Sequence, residues 1–388
     1  MRIGFDARFV TARRTGLGNY CLWLLEALIR ENDGDEFVVF GDTGGDLKPL
    51  AVVDGVSLVP APVRLIGAGR AGAVAGQQFD MARLINRHEL DIMHFPYYLE
   101  PALARAPFIL TIHDLDTFRA GAHHSSWTRF YHNGLIRLLA RRAAAIVTVS
   151  EFSRGEIACC LGIPAGDIRV IANGLSPQFG CAVGGEAGGA PLSGAAGGLL
   201  DVPPLAGYLL YAGGLGMRKN LRRMIDAYAL AADATGSDAR LLITGELAEV
   251  GRALKAYVES RGLADRVAFT GYLPAHEMPA LYRGALAAIY PSTYEGFGLP
   301  VLEAMAMGVA VVTSRGSAMA EVADGRGVLV DPLDTLSIAA GIGALLDDPA
   351  LAQELGGRGP VRAADFSWSA AAAGFHEIYE EIGGGACA

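Results

Sequence analysis

Two carboxylates stand eight positions apart in the run Glu295-Gly-Phe-Gly-Leu-Pro-Val-Leu-Glu303, and their setting suggests chemistry. The apolar stretch Ala287-Ala-Ile-Tyr-Pro291 before them reads as a strand. Leu299-Pro300-Val-Leu-Glu-Ala-Met-Ala after them reads as the opening of a helix, with Pro300 where a missing N–H costs nothing. The turn between would aim the main-chain N–H groups of Gly296, Phe297, Gly298 and Leu299 outward at a helix N-terminus, which favours a bound anion. Gly296 and Gly298 let a ligand approach the backbone closely. Glu295 in the turn and Glu303 further into the helix can face one pocket. Carboxylates beside an anion site suit hydroxyl groups, because they accept from O–H and repel phosphate. The bland alternative is a strand, turn and helix with one capping and one surface glutamate.

A second turn repeats the theme. Tyr211-Ala-Gly-Gly-Leu-Gly-Met-Arg218-Lys219-Asn220 reads as a strand, a Gly-rich turn and a basic pair before a helix. Gly213 and Gly214 permit close approach. Arg218 and Lys219 can neutralise a diphosphate, the first as a fork of donors and the second as a point charge. A solvated basic pair is the alternative, but it would sit poorly at the positive end of a helix dipole. Phosphate beside polyol is the make-up of a nucleotide sugar.

Weaker candidates come from the first half. Thr15-Gly16-Leu17-Gly18-Asn19-Tyr20 follows the first strand, and its Gly16-x-Gly18 is a weak signal that also reads as a plain helix-entry turn. Cys21 occupies the third glycine position of a dinucleotide fingerprint, so that motif is incomplete. His113 closes the apolar run Phe108-Ile-Leu-Thr-Ile, at the strand edge where ligands bind, with Asp114 next to it. A hydrogen-bonded structural histidine is an equal reading of His113. His94, His123 and His124 have lesser claims, and Asp6 with Arg8 read equally as a structural ion pair. Ser150 reads as a helix N-cap and Asn173-Gly174 as a turn.

The elements that must position these residues alternate. Short apolar strands near Arg2–Ala7, Glu36–Phe40, Ser57–Ala61, Asp91–Phe95, Phe108–His113, Ala145–Ser150 and Ile168–Ile171 are separated by longer amphipathic stretches, four of which read as helices near Gly18–Arg30, Gly72–Arg87, Ser126–Arg142 and Phe152–Leu161. The pattern restarts with strands near Tyr208–Ala212, Arg240–Thr244, Val267–Gly271, Ala287–Tyr290, Val309–Thr313 and Val328–Val330. Continuous apolar runs of this kind belong to parallel sheets covered on both faces. The expected fold is α/β, doubly wound twice over. Residues 1–180 would form the first domain, the Gly/Ala-rich 181–206 a linker, 207–365 the second domain, and 366–388 a terminal helix that could cross back to the first. Ligands would bind beyond the strands' carboxyl ends and in a cleft between lobes.

A chain of 388 residues, about half apolar, has material for two cores. Its net charge of −9 argues against general nucleic-acid binding, which needs basic surface. Five cysteines without regular spacing suggest reduced thiols. No apolar run reaches the length of about 18 residues that spans a membrane, and the N-terminus reads as a strand, not a signal peptide. A cytoplasmic protein is expected. The basic and aromatic stretch Trp127…Arg137…Arg141-Arg142 reads either as ordinary surface or as a peripheral contact with an anionic membrane.

The setting Pro-Ser-x-Tyr-Glu-Gly-Phe-Gly-Leu-Pro-Val-Leu-Glu-Ala-Met resembles retaining glycosyltransferase family 4, of GT-B fold, with matching elements over nearly the whole chain. The resemblance implies a nucleotide-sugar donor on the second lobe, a glycan, lipid-linked or small-molecule acceptor on the first, and no required metal or other cofactor. It implies that Glu295 contacts the donor sugar, Glu303 the ribose, Arg218 and Lys219 the diphosphate, and His113 the reacting sugar. Leu273, in Phe269-Thr-Gly-Tyr-Leu-Pro, falls where the family holds the base. Ser176 stands where the family often carries Asp. The opening residues lean mildly toward mannose or rhamnose; GDP-, UDP- and dTDP-sugars all fit. A nucleotide-sugar epimerase of the same fold and a non-catalytic sugar-nucleotide-binding protein are the alternatives; a dehydrogenase is disfavoured by the incomplete glycine fingerprint.

Overall fold

The computed structural model describes residues 1–11, 15–61, 76–98, 101, 103–118, 126–183 and 207–384. His123, His124, the start of the helix expected from Gly72 and residues 184–206 of the expected linker lie outside them. The chain forms two compact units, Met1–Gly174 with Ser367–Ala388, and Leu175–Phe366.

The first unit is built on seven strands: β1 Arg2–Asp6, β2 Glu36–Gly41, β3 Val56–Pro60, β4 Ile92–Phe95, β5 Phe108–Thr111, β6 Ala145–Thr148 and β7 Ile168–Val170. Their order is β3-β2-β1-β4-β5-β6-β7, and every pairing is parallel. Helices α1 Gly16–Arg30, α2 Met81–Ile85, α3 Ser126–Ala140 and α4 Glu151–Leu161 alternate with the strands. All residues of β4 and β5 are buried, so these strands are apolar on both faces rather than alternating.

The C-terminal helix Trp368–Gly384 completes this unit by packing on α1. Trp368 lies against Tyr20 and Trp23, at ring distances of 5.8 and 5.9 Å. Phe375 and Tyr379 cover His94 of β4, whose Nδ1 is 2.7 Å from the Tyr379 hydroxyl. Burial pushes His94 down to about 3, so it is neutral and structural. Gly174 is fixed by the same docking: a Cβ there would lie 2.4 Å from the Trp368 backbone nitrogen.

The second unit holds six strands: β8 Tyr208–Ala212, β9 Arg240–Thr244, β10 Val267–Gly271, β11 Ala285–Tyr290, β12 Ala310–Ser314 and β13 Val328–Val330. Their order is β10-β9-β8-β11-β12-β13, again all parallel. Its helices are α5 Pro177–Val183, α6 Leu221–Thr235, α7 Glu249–Ser260, α8 Met278–Arg283, α9 Leu299–Ala306, α10 Ala318–Ala323, α11 Thr335–Asp347 and α12 Pro349–Ala363.

This unit begins at Leu175, before the boundary near 180 that composition suggested. The cause is α5, whose fully buried Phe179 packs edge-on against Tyr282, 5.5 Å away. The Gly/Ala-rich stretch expected as linker from Cys181 therefore starts inside a helix. Leu175 N–H donates to the Phe366 carbonyl at 3.0 Å, so the first and last residues of the unit are tied together.

In each unit the strand order reverses direction beside its first strand, between β1 and β4 and between β8 and β11. Connections leave these pairs in opposite directions, which opens a crevice at their carboxyl ends. Among the described residues no single helix is long and apolar enough to cross a membrane.

Phe375→Ala should lower the stability of the first unit by about 3–5 kcal/mol, because the residue is fully buried. Urea unfolding followed by tryptophan fluorescence tests this, since all three tryptophans lie in that unit.

Candidate active site

The crevice of the second unit collects most of the candidate residues. After β8 the chain turns at Gly213, whose φ of +148° is a conformation that L side chains rarely adopt. Gly213 N–H donates to the Thr244 carbonyl at 3.1 Å, and the Tyr211 hydroxyl donates to the Gly214 carbonyl at 2.6 Å. The Gly-rich loop is thus pinned at both ends. A single 3₁₀ turn, Met217–Lys219, follows and ends at Asn220 in the left-handed region, φ +62°. Asn220 Nδ2 donates to the carbonyls of Pro291 and Pro332, at 3.0 and 2.6 Å. Thr293 N–H donates to the Arg218 carbonyl at 2.8 Å. These bonds fasten the basic pair to the loop that leaves β11.

That loop carries Glu295, which is 9% exposed. Arg218 Nη1 donates to its Oε2 and Lys219 Nζ to its Oε1, both at 2.5 Å. Arg218 Nη1 also donates to the Tyr294 carbonyl. Burial alone would push the Glu295 carboxyl up, but the Lys219 and Arg218 cations outweigh it and hold the group below its ordinary range. Two cations and one anion leave a net positive charge, on groups only partly screened from solvent: Lys219 is 17% and Arg218 36% exposed at the side chain.

α9 starts directly behind. Its N-cap is Gly298, at φ +145°, where a Cβ would press on Met319 at 3.0 Å. Pro300 has no N–H, and Val301 and Leu302 donate to the Gly298 carbonyl. The amides of Gly298 and Leu299 have no hydrogen-bond partner among the described residues, which leaves an electropositive helix start. The Phe297 ring is buried and edge-on to Phe366, so this residue offers backbone rather than side chain to a ligand. The Leu273 side chain is likewise buried, whereas Tyr272 beside it is 76% exposed at the end of β10.

Glu303 has different company. Ser176 Oγ donates to its Oε1 at 2.6 Å, and the Tyr282 hydroxyl lies 3.3 Å from its Oε2. Burial pushes the carboxyl up to about 7, against the pull of these two hydroxyls. The paired glutamates therefore differ in charge state: Glu295 is ionised, and Glu303 is poised near neutrality.

In the first unit, Thr15 caps α1 by accepting from Gly18 N–H at 3.4 Å; Gly16 is exposed and Gly18 buried. At the end of β1, Asp6 and Arg8 form a buried, bidentate ion pair. His113 follows β5. Its Nε2 is 3.0 Å from the Pro96 carbonyl at the end of β4. A carbonyl only accepts, so Nε2 carries the hydrogen. Burial pushes the ring down to about 4, which leaves it neutral with Nδ1 as an acceptor. Tyr20 stacks edge-on against it, 4.4 Å away, and Ser153 Oγ donates to its main-chain carbonyl. Ser150 caps α4 through Ser153 N–H. Among the described residues there is no cluster of three or more metal-ligating side chains.

The sequence profile of the glycosyl transferases group 1 family matches residues 205–362, and that of glycosyltransferase family 4 matches residues 14–179. O-antigen chain mannosyltransferase B of Escherichia coli is 30% identical over 378 residues, spanning 95% of this chain and 96% of the relative. The chain belongs to this glycosyltransferase family. Sucrose-phosphate synthase of Thermosynechococcus elongatus superposes with a TM-score of 0.77 at 20% identity, covering 98% of each chain. Anabaena HepE in complex with UDP-glucose superposes with a TM-score of 0.72 at 19% identity, covering 98% of this chain and all of the other. These likenesses show the GT-B fold.

Within this glycosyltransferase, three residues near the donor-side candidates were given no role from the sequence. Asn220 fastens two loops, Tyr282 and Ser176 bond to Glu303. The left-handed Asn220 had a sequence signal, because asparagine tolerates that conformation better than other L residues. Ser176 stood out only as a departure from the family pattern, and nothing local pointed to its partner, 127 positions away.

The raised carboxyl of Glu303 fixes the sign of a stability effect. Between its ordinary value of 4.5 and about 7 the folded state binds more protons than the unfolded, so stability contributed by this group falls as pH rises through that window. Melting temperatures from pH 5 to 8 should show Glu303→Gln gaining steadily on the native protein; a constant difference would contradict the assignment.

Proposed function

We propose that this enzyme transfers a hexosyl group, most consistent with mannose, from a nucleotide-sugar donor to a hydroxyl of a glycan or lipid-linked acceptor, with retention of anomeric configuration. The observation that carries the reading is the Arg218–Glu295–Lys219 cluster at the crevice between β8 and β11. The mannosyl reading rests on the relative spanning nearly the whole chain, whose name states that sugar.

The donor diphosphate is drawn to the net positive charge of the cluster and to the amides of Gly214, Gly298 and Leu299. As the sugar–phosphate bond breaks, negative charge grows on the leaving phosphate. Arg218 and Lys219 stabilise that charge more than the ground state, which is what accelerates the step. Glu295 holds both cations in register and offers its carboxylate to sugar hydroxyls. Glu303 receives the ribose hydroxyls, and the backbone at Leu273 the base. In the first unit, Gly16 and Gly18 line the loop into α1, and His113 offers Nδ1 to a sugar hydroxyl. No side chain here is required as a covalent nucleophile; in a retaining reaction of this type the leaving phosphate guides the incoming hydroxyl on the same face. The proposed reaction uses no metal or cofactor beyond the donor.

Lys219→Ala and, separately, Glu295→Ala should each lower kcat by about 10²–10³-fold, the usual effect of removing one transition-state contact. The assay measures transfer of labelled sugar, with anomeric configuration read by NMR. Unchanged transfer in both variants, or interconversion of the nucleotide sugar without acceptor, would overturn the reading, the latter in favour of an epimerase.

A lipid-linked acceptor would bring the first unit to a bilayer, and one face of α3 suits that. Phe130 is 76% and Leu138 48% exposed, with Arg137 and Arg141 exposed between and beyond them. Residues 117–150 contain five arginines and no carboxylate, in a chain of net charge −9. Basic and apolar groups on one helix face fit anionic lipid. Arg137→Glu with Arg141→Glu should abolish co-sedimentation with anionic vesicles while phosphatidylcholine vesicles bind neither protein; equal binding of native protein to both vesicle types would contradict the proposal.

A further inference from the structure

A chain of hydroxyl groups runs behind the donor-side residues of the second unit. Ala212 N–H, at the head of the Gly213-Gly214 loop, donates to the Tyr290 hydroxyl at 3.3 Å. The Tyr290 hydroxyl is 2.8 Å from that of Tyr282, which in turn is 3.3 Å from Glu303 Oε2. Ser176 Oγ donates to the other carboxylate oxygen at 2.6 Å. Tyr282 is fully buried and Tyr290 only 3% exposed, so their hydroxyls must find partners within the protein.

The direction of this chain is fixed at one end. An amide N–H can only donate, so Tyr290 accepts from Ala212 and passes its own hydrogen to Tyr282. Tyr282 gives its hydrogen to the ionised Glu303 at 3.3 Å, with the Pro300 carbonyl a second acceptor at 3.4 Å. Both carboxylate oxygens thus receive a hydroxyl hydrogen in the ionised state. A protonated Glu303 that donated to Tyr282 would instead turn the Tyr282 hydrogen to the Pro300 carbonyl, 3.4 Å away. Each carboxylate oxygen keeps a second lone pair free for a further donor.

We propose that Ser176 and Tyr282 are positioning residues that aim the carboxylate of Glu303 at the vicinal hydroxyls of the donor ribose, and that the Tyr290 hydroxyl locks this carboxylate to the backbone of the Gly213-Gly214 loop, so that the ribose and diphosphate subsites are set as one piece. The proposal rests on the reading of Glu303 as the ribose contact. Ser176 is the second residue of its unit, and Leu175 N–H is bonded to the Phe366 carbonyl, so the hydroxyl is presented from a backbone held at its neighbour. The titratable groups facing Glu303 are Tyr282 of α8 and Tyr290 of β11. The charged side chains on the other elements packed against α9 are Glu321 of α10 and Glu354, Arg358 and Arg362 of α12, with Arg283 at the end of α8; none is bonded to Glu303 among the described residues.

Steady-state kinetics of the full chain with its nucleotide-sugar donor test this, using Ser176→Ala, Ser176→Thr, Tyr290→Phe and Glu303→Gln. In the native enzyme the donor KM should fall as pH rises through about 7, as Glu303 ionises. Ser176→Ala should raise the donor KM about tenfold, the effect of one hydrogen bond to a charged group, with kcat within about twofold, and should move the pH transition to higher values because one stabilising hydroxyl is gone. Ser176→Thr should restore both. Tyr290→Phe should raise the KM for donor and for nucleoside diphosphate together, with native melting behaviour in Ser176→Ala and Ser176→Thr as the folding control. Native KM and an unmoved pH transition in Ser176→Ala, while Glu303→Gln weakens the donor, would overturn the positioning role alone. A native donor KM in Glu303→Gln would overturn the ribose reading and this proposal with it.

Discussion

The second unit of this molecule depends on one electrostatic contact, the buried carboxylate of Glu295 held between Arg218 and Lys219. The partners come from two loops that leave β8 and β11, adjacent strands whose connections diverge. Like charges on one loop would repel each other and loosen it; a carboxylate from the other loop binds them and joins both. Removing one partner of such a buried group is more damaging than its net contribution suggests, because the remaining charge is left uncompensated. The same contact leaves a net positive charge at a helix start, which is the feature the proposed diphosphate site rests on.

Neutral hydrogen bonds do the rest of the fastening. Asn220 reaches the carbonyls of Pro291 and Pro332, Tyr211 holds the Gly214 carbonyl, and Tyr282 and Tyr290 connect Glu303 to Ala212. A preorganised site of this kind spends little reorganisation when charge develops on a leaving group. The two glutamates that the sequence presents as a pair are held by separate systems, one of cations and one of hydroxyls, and the difference sets their opposite titration behaviour.

Much of the architecture was legible. Strands buried on both faces write themselves as unbroken apolar runs, and Phe108–Thr111 or Tyr208–Ala212 could hardly be anything else. The loop residues were legible because their types are constrained: glycine where φ is positive at Gly213 and Gly298, proline where an N–H is superfluous at Pro300. What stayed hidden was non-local. Composition placed the domain boundary at the start of the Gly/Ala-rich stretch, but Phe179 buries itself against Tyr282 and draws the preceding helix into the second unit. Ser176 looked like a departure from a family pattern, and its bond to Glu303 closes across 127 positions. Phe297 and Leu273 fell at the expected places, yet their side chains point into the core, leaving the backbone as what they present.

The central claim is that the donor diphosphate sits on the Arg218–Glu295–Lys219 cluster with its ribose toward Glu303. A crystal structure with an intact, non-transferable nucleotide-sugar analogue measures this directly. The account predicts the β-phosphate within hydrogen-bond reach of Arg218 and Lys219 and both ribose hydroxyls within reach of Glu303. A diphosphate bound away from the Gly213–Lys219 loop, with Glu295 still closed on both cations, would contradict it.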